Sequence, residues 1–399
     1  MAHVMSAHAR NAPILLAYPF RPFFLLAALY AAVGVLAWVG YLFGGWPLSL
    51  GDAPVRWHAH EMLLGFLPAA ITGFLLTAMT NWTGAPPLAG RGLLALVALW
   101  LAGRAAMWTG TWLPAWLVAA VDLAYLPVLA IYIARVLLRY GNRRNLFLAG
   151  VIGLFALANL LFHLQALGWT ATAIAGERLA LNLITLLMVV IAGRITPAFT
   201  ANWLRIHGED PDVVQRLPNL DRAAIAATAL MIPVDLIPGL PLAGALLALA
   251  ASVANGARLT LWSGWHVWRE PLLWILHLGY LWIVAALLLK GLQPFADGII
   301  PTAWIHAVTA GAAGTLIMGV MTRVSLGHTG RALSLPPFGL GMYAAVLAAG
   351  LLRVAAALGL LDYRLGVSAS ALAWAVGFGL FVIAYWPILS RPRADGRPG

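Results

Sequence analysis

The feature that most constrains the fold is a succession of apolar runs separated by short polar segments. Each run is about twenty residues long, the length that an α-helix needs to cross the hydrocarbon core of a bilayer. Only 9% of the 399 residues are charged and 62% are hydrophobic, too little polar surface for a soluble protein of this size. The chain is therefore predicted to be an all-α integral membrane protein, a single polytopic domain over 1–399. About twelve membrane-spanning helices are predicted, with the limits 23–43, 58–80, 92–110, 112–138, 144–167, 177–198, 221–239, 241–263, 271–290, 302–323, 336–359 and 365–389.

The distribution of basic residues predicts the orientation. With the N-terminus inside, the inner segments hold fourteen arginines and the outer loops four basic residues, a bias that favours cytoplasmic N and C termini. Residues 1–20 are then an N-terminal cytoplasmic segment, 199–221 a cytoplasmic loop, and 390–399 an Arg/Pro/Gly-rich tail predicted to be disordered. The same bias accounts for the net charge of +11, so membrane lipids are the expected partners and nucleic acid is not.

Three predicted spans end in a similar pattern of Gly, Thr and Asn-Trp or Gly-His residues, at 73–82, 193–203 and 319–330. They recur at every fourth helix, which favours three four-helix repeats, although short patterns of this kind also recur by chance at membrane interfaces. If the repeat is real, the arrangement resembles the core of the haem–copper oxidases. That core has twelve helices with both termini inside, and its haem ligands come from the second and tenth helices. This resemblance is at the level of the fold.

Histidines are the main candidate metal ligands, because the chain has no cysteine. Ionisable groups within membrane helices are costly and mark functional sites by default. Six histidines lie in or at the edges of the apolar helices: His58, His60, His163, His277, His306 and His328. Because neighbouring helices run in opposite directions, four of them are predicted to lie with Glu61 in one layer near the outer face: His58, His60, His163 and His306.

Helix geometry divides the outer layer into two predicted centres. His58 and Glu61 are three residues apart and share a helix face, whereas His60 points about 200° away from His58. His60 and His306 are predicted to clamp a haem iron from two helices. His58, Glu61 and His163 are predicted to hold copper or to lie behind its ligands, since imidazole binds both metals. For any one of these histidines, hydrogen-bonded packing is the simpler alternative.

Intramembrane arginines and acids complete the candidate set. Arg is the natural bidentate partner of a haem propionate, which makes Arg56, Arg104 and Arg353 near the outer layer and Arg323 near the inner end candidate cofactor-binding residues. Arg104 is expected to face Asp122 across the third and fourth helices, most simply as a structural ion pair. The carboxylates available for a proton route are Glu61, Asp122 and Asp235.

Several sequence blocks together resemble the NnrS family. The blocks lie at 20–24, 57–66, 73–84, 276–282, 306–311 and 319–331. The resemblance implies a twelve-span protein of the bacterial inner membrane that contains haem and copper and is linked to denitrification and nitric-oxide stress. The haem is expected to be of the b type. The motif positions carried over are His58, His60, Glu61, His277, His306, His328 and Arg323, without an assignment to either metal. His163 lies outside these motifs and is proposed from the residue pattern alone.

Two classes of function follow. The first is a metalloprotein that reduces, oxidises or binds nitric oxide, with an electron donor if it is an oxidoreductase. The predicted sixth and seventh helices contain no histidine, so the three-imidazole copper site of an oxidase is not reproduced and oxygen reduction is not expected. The alternative is a polytopic transporter for haem, copper or a nitrogen oxide, or a nitric-oxide sensor or assembly factor without turnover. Sequence leaves enzymatic turnover and oligomeric state open.

Overall fold

The computed structural model describes residues 13–48, 53–169, 172–296 and 301–397. Within these ranges the secondary structure is helical and contains no strand. The helices are α1 Phe20–Gly44, α2 Pro54–Thr83, α3 Gly90–Trp108, α4 Ala115–Arg139, α5 Arg143–Ala166, α6 Thr172–Ile206, α7 Pro218–Leu236, α8 Pro241–Leu261, α9 Pro271–Phe295, α10 Pro301–His328, α11 Gly339–Ala357 and α12 Tyr363–Leu389.

The predicted all-α polytopic membrane protein is confirmed, but the number of spans differs. Eleven of the described helices are long and apolar enough to cross a membrane, and α7 is not among them. The helix α7 has 19 residues, which include the charged residues Asp221, Arg222 and Asp235. The prediction of about twelve spans counted this helix by its apolar middle. The predicted orientation of the termini rested in part on an even number of spans, and it stays a prediction.

The chain divides into two compact units. Unit 1 consists of the described residues within 1–180, 321–334 and 378–399, and unit 2 of those within 181–320 and 335–377. Unit 1 therefore contains α1 to α5, and its core includes the fully buried Phe23, Phe24, Phe66 and Phe155. Unit 2 contains α7, α8, α9 and α11, and its core includes Leu276, Tyr280, Val346 and Met342.

Two of the helices, α2 and α10, contain a π-helical turn. In α2 an α-helical start, Pro54–His60, passes into the π turn Glu61–Phe66. In α10 the start Pro301–His306 passes into the π turn Ala307–Ala313. Helix α6, the third member of the predicted repeat, is α-helical over all of Thr172–Ile206. Two members of the predicted repeat, α2 and α10, thus share this backbone feature, and the third, α6, does not.

Two predicted segment boundaries are altered. Helix α6 continues through Pro197 to Ile206, so the predicted loop 199–221 is shorter than its sequence suggests. The first part of the tail predicted to be disordered is hydrogen-bonded within unit 1. Arg393 donates to the His328 carbonyl over 2.7 Å, and the Ala394 amide donates to the Thr329 carbonyl over 2.9 Å. Most of the predicted N-terminal segment 1–20, residues 1–12, and the tail residues 398–399 lie outside the described residues.

Candidate metal centre

Each of the five helices α1 to α5 contributes a polar side chain to one buried cluster in unit 1. The two consecutive residues His60 and Glu61 come from α2, at the point where its π turn begins. The helix α3 contributes Arg104 and α4 contributes Asp122, and all four of these side chains are more than nine-tenths buried. The remaining members of the cluster are Tyr30 from α1 and Asn159 and His163 from α5.

Both ring nitrogens of His60 have partners in this cluster. Nδ1 lies 2.8 Å from Glu61 Oε1, and Nε2 lies 2.8 Å from Asn159 Oδ1 and 3.2 Å from Asp122 Oδ2. The Asn159 Nδ2 amide donates to Asp122 Oδ2 over 2.8 Å, which leaves its Oδ1 to accept a hydrogen bond from His60 Nε2. The ring of His60 is therefore fixed in orientation by contacts from three helices.

His163 contacts the same carboxylate oxygen of Asp122 as His60 does. Its Nε2 lies 2.8 Å from Asp122 Oδ2, and its ring centroid is 5.4 Å from that of His60. The ligating atoms of His60, Asp122 and His163 all lie within 4.8 Å of one another, the one group of this kind found within the described ranges. Ligands bound to a metal at about 2.1 Å are roughly 3 Å apart, so these atoms need only small shifts to share an ion. Two imidazoles and a carboxylate are a donor set that copper, zinc and iron accept.

Arg104 links the two carboxylates of the cluster. Its guanidinium donates from Nη1 to Glu61 Oε1 and from Nη2 to Asp122 Oδ1. The Tyr30 hydroxyl donates to the other oxygen of Glu61, Oε2. The predicted facing of Arg104 and Asp122 across α3 and α4 is confirmed. The pair belongs to a larger network, in which Arg104 ties α2 as well as α4 to α3.

Two glycines make room for this arrangement. A Cβ at Gly103 would lie 3.0 Å from Asp122 Oδ1, so the absence of a side chain lets α3 approach α4 closely at Arg104. A Cβ at Gly65 would lie 2.5 Å from Arg104 Nη1, which means that the guanidinium rests on the backbone of the π turn in α2. Trp100 holds the same glycine from α3 by donating Nε1 to the Gly65 carbonyl over 3.0 Å.

Local sequence explains how some of these side chains are aimed. Proline has no N–H, so Pro127 cannot donate to the Leu123 carbonyl. The α-helix of α4 is accordingly interrupted at Ala124, directly after the segment that carries Asp122. In α5, Asn159 and His163 are four residues apart and therefore lie on one face. In α2, the two consecutive residues His60 and Glu61 both reach the cluster from the point where the α-helix passes into the π turn.

The formal charges within the cluster do not cancel. Glu61 and Asp122 contribute two negative charges when ionised, and Arg104 contributes one positive charge. A buried net charge is costly in an apolar environment. One further positive charge balances the cluster, and it has two sources: a proton on a histidine or carboxylate, or a metal cation. The site is therefore built to hold a proton or a cation.

The predicted division of the outer layer into His58/Glu61 and His60 is wrong. The structure places His60 beside Glu61 and His163, whereas the His58 ring stacks on Trp38 with centroids 4.7 Å apart. The physical reason is that the Glu61 carboxylate turns towards the neighbouring His60 ring and Arg104, whereas the His58 ring lies against Trp38 of α1. The predicted pairing of His60 with His306 on one haem iron stays a prediction, and the two residues belong to different units.

The other predicted histidines have different surroundings. His306 in α10 donates from Nδ1 to the Thr302 carbonyl over 2.7 Å. His277 in α9 is buried, and its Nε2 lies 2.9 Å from Thr200 Oγ1, while its Nδ1 has no hydrogen-bond partner within the described residues. The His328 ring packs against Phe20, with ring centroids 5.6 Å apart. None of these three belongs to the cluster of α1 to α5, and their role as ligands stays a prediction.

The remaining charged candidates are also distributed over the chain. Arg56 is exposed in the first turn of α2, and Arg323 is half-buried in α10. Arg353 in α11 lies with its Cζ 5.8 Å from the centre of the Tyr363 ring. Asp235 in unit 2 is ion-paired with Lys290, which also donates to Asn182 over 3.0 Å. Of the three predicted proton-route carboxylates, Glu61 and Asp122 thus share one network and Asp235 belongs to another.

Sequence reasoning missed Tyr30 and Asn159, because it looked only at charged residues and histidines. A signal for Asn159 was present. A neutral polar residue inside an apolar helix needs a hydrogen-bond partner, and Asn159 precedes His163 by four residues on the same face. Tyr30 offered no such signal, because a tyrosine in a membrane helix is also common as a packing residue.

The fold and the site define a polytopic membrane protein with a buried His/Asp cluster of the kind that can hold a metal ion. The family model described as NnrS protein matches residues 14–393, nearly the whole chain. The chain therefore belongs to the NnrS family, a family of the nitric-oxide response. No curated protein matches the chain.

Proposed function

We propose that the protein is a haem- and copper-containing membrane protein that binds or chemically converts nitric oxide, with copper held by His60, Asp122 and His163. The observation that carries the proposal is the buried His60/Asp122/His163 group, whose surrounding charges are balanced by one further positive charge, a proton or a metal cation. Membership of the NnrS family supports nitric oxide as the small molecule. It also supports the cytoplasmic membrane of a bacterium as the location, in defence against nitrosative stress or in denitrification.

The donor set supports copper among the transition metals. For a fixed set of nitrogen and oxygen ligands, affinity rises along the first row to Cu²⁺ and exceeds that for Zn²⁺ and Fe²⁺. Two histidines and one carboxylate also suit non-haem iron, so metal analysis has to distinguish the two ions. The ligands must be free of protons to bind, which means that metal and proton compete for this cluster.

The protein's own residues supply positioning and charge. His60 is oriented by Glu61 and Asn159, and Arg104 holds both carboxylates in fixed positions. A bound copper ion would supply a site for nitric oxide coordination and for electron transfer. Tyr30, Glu61 and His60 form a continuous hydrogen-bonded chain, which is suited to carry a proton to or from the metal ligands. Nitric oxide is small and apolar enough to enter from the bilayer.

Metal content of the purified protein tests the site. We expect about one copper per chain by mass spectrometry in the wild type, and loss of copper in His60→Gln and His163→Gln. The amide retains hydrogen bonding at these positions but offers no imidazole nitrogen. His58→Ala discriminates the site from the grouping predicted by sequence and should retain copper. His266→Ala, at an exposed histidine, is the control. Retention of copper in both Gln variants would overturn the assignment of the ligands. Iron found in place of copper, and lost in the same variants, would change the metal assigned to the site and support the same ligands.

Nitric oxide consumption tests the reaction. We expect the wild type, supplied with a chemical reductant, to consume more nitric oxide than one equivalent per metal at an NO electrode, and His163→Gln to lose this turnover. Stoichiometric binding without turnover would favour a sensor, and nitrogen-oxide, copper or haem flux in proteoliposomes without consumption would favour transport. An unchanged rate of nitric oxide consumption in His163→Gln would show that the reaction does not take place at this cluster.

A further inference from the structure

Three helix ends meet in unit 1, and arginines hold them together: the start of α1 and the ends of α10 and α12. Arg21, the second residue of α1, donates from Nη1 to the Leu389 carbonyl over 2.6 Å and to the Arg391 carbonyl over 3.0 Å. From the segment after α12, Arg393 donates to the His328 carbonyl at the end of α10 over 2.7 Å. These contacts join the three helix ends into one region, and Arg21 is fully buried within it.

Positive charge accumulates in this region. We call five of its residues the arginine cluster: Arg21, Arg331, Arg391, Arg393 and Arg397. The charges of Arg331 and Arg393 both act on the guanidinium of Arg21, so these three like charges lie close to one another. Like charges at short distance repel, and an anion between or beside them relieves the repulsion.

The described part of unit 1 offsets these charges only in part. Asp395 accepts two hydrogen bonds from Arg393, over 2.9 and 2.6 Å, and one from the Arg397 amide over 3.2 Å. The C-termini of α10 and α12 each contribute about half a negative charge. Together they balance roughly two of the positive charges of the five arginines. The other acidic side chains of described unit 1 residues belong to α2, α4 and α6: Glu61, Asp122 and Glu177.

Unit 2 treats a buried arginine differently. Arg258 in α8 donates from Nε to Asp221 Oδ1 over 2.7 Å, and the more exposed Arg216 pairs with the other oxygen of the same carboxylate over 3.0 Å. A full negative charge from α7 is thus in contact with both arginines. The contacts of Arg21 described above are to backbone carbonyls, which carry partial charges. The arginine cluster of unit 1 is therefore the better place for an anion from outside the chain.

The position of the arginine cluster indicates which kind of anion it meets. The helices α1, α10 and α12 are all long and apolar enough to cross a membrane, and the cluster lies at their ends. Ile383 and Trp386 of α12 are three residues apart, so they lie on one face, and they are 66% and 51% exposed. An exposed tryptophan near the end of an apolar helix is typical of the boundary between hydrocarbon and lipid headgroups. An anion with an apolar chain attached fits this boundary better than a free anion.

We propose that the arginine cluster binds the phosphate group of an anionic phospholipid, with its acyl chains along Ile383 and Trp386. The planar guanidinium presents paired donors that match a phosphate, and basic sites between membrane helices are suited to such headgroups. The bound lipid would add a bridge between the ends of α1, α10 and α12. This inference is independent of the proposed function, because it uses none of the residues assigned to copper.

Native mass spectrometry of the full-length protein tests the lipid site. Phosphatidylglycerol and phosphatidylcholine are added at equal concentration in a neutral detergent at low ionic strength. The wild type should retain phosphatidylglycerol in preference. Arg331→Gln and Arg391→Gln should each weaken this preference about fivefold, the effect of one lost charge near a membrane surface. Arg216→Gln in unit 2 is the matched control and should leave the preference unchanged.

Asp395→Asn distinguishes lipid binding from a structural role of the arginines. This change removes a negative charge from the region, so retention of phosphatidylglycerol should increase about fivefold. It also weakens the contacts of Arg393, so a merely structural cluster would not gain lipid from it. An unchanged or lower preference in Asp395→Asn would contradict the proposal.

Thermal unfolding distinguishes a lipid from a soluble phosphate. Phosphatidylglycerol should raise the midpoint of the wild type, and inorganic phosphate at the same concentration should not. An equal rise with both would assign the cluster to a soluble anion and overturn the lipid site. Equal retention of the two lipids by the wild type, or the same loss in Arg216→Gln as in Arg331→Gln, would also overturn it. Copper content should be unchanged in Arg331→Gln and Arg391→Gln, so the lipid site and the copper site stand or fall separately.

Discussion

The π-turn helices α2 and α10 use one backbone design for two chemical environments. In α2 the histidine is followed by Glu61, and neighbouring helices supply Arg104, Asp122 and His163. In α10 the same position is the fully buried Ala307, and the neighbouring α11 packs against the turn with Gly350, where a Cβ would lie 3.0 Å from Gly311 Cα; three residues further on, Arg353 lies beside the Tyr363 ring. The comparison shows that the π turn follows the histidine at the same position in both helices. The residue after the histidine and the side chains of the neighbouring helices then determine which groups surround the imidazole.

The largest expected difference between the two environments concerns their arginines. Arg104→Ala should lower the free energy of unfolding by about 3–5 kcal/mol, because it leaves Glu61 and Asp122 buried without a counter-ion. Arg353→Ala should cost less, since this guanidinium lies beside the Tyr363 ring and does not join two buried carboxylates in the described residues. Titration with sodium dodecyl sulfate, followed by circular dichroism, measures both.

The exposed Arg91 on α3 provides the matched control for Arg104. Arg91→Ala should leave stability within about 0.5 kcal/mol of the wild type. Arg104→Lys should fall between these two, since it retains the charge but cannot bridge two carboxylates as a planar guanidinium does. Equal losses for Arg104→Ala and Arg353→Ala would show that the cluster in unit 1 is not charge-coupled.

A smaller difference is expected at the glycines of the π turns. Gly65→Ala and Gly311→Ala should each destabilise by about 1–3 kcal/mol, the usual cost of overpacking. The accompanying effects should differ. A Cβ at Gly65 meets the Arg104 guanidinium, so copper binding should fall as well, whereas at Gly311 it meets the Trp282 ring and copper should be unaffected. Thermal unfolding and copper content of the two variants, compared side by side, check this. Unchanged copper binding in Gly65→Ala would mean that the guanidinium moves without disturbing the cluster.

Sequence predicted the parts of this structure that depend on local pattern. Apolar runs located eleven of the membrane helices, and depth along neighbouring helices correctly placed Arg104 opposite Asp122. The same reasoning put His163 in the layer of His60, which the structure confirms.

What failed depended on backbone irregularity or on neutral residues. The separation of His60 from Glu61 assumed that helix direction alone decides which side chains meet, but the Glu61 carboxylate contacts the ring of the neighbouring His60. The π turn was also missed, because it has no periodicity from which it can be recognised in one sequence. The repeated spacing of histidine and two glycines in α2 and α10 was available in the sequence. It indicates a duplication, but not the widened turn. The apolar run of α7 likewise predicted a span, although Asp221, Arg222 and Asp235 all lie within its 19 residues.

The smallest expected effect concerns the glycines that close the two helices. Gly84→Ala should cost about 1–2 kcal/mol, because an L-residue is disfavoured in the left-handed conformation and nothing else lies near a Cβ there. Gly330→Ala should cost more, since its Cβ also meets the Asp395 carboxylate.

Hydrogen bonds from Arg393 lower the pKa of Asp395 to about 2, so the carboxylate remains charged and held by Arg393 at any pH above about 4. In an Asp395→Ala background the added cost at Gly330 should therefore fall to that at Gly84, as measured by thermal unfolding at neutral pH. A difference that persists would mean that the C-terminal segment is held against α10 by the Arg393 and Ala394 hydrogen bonds alone.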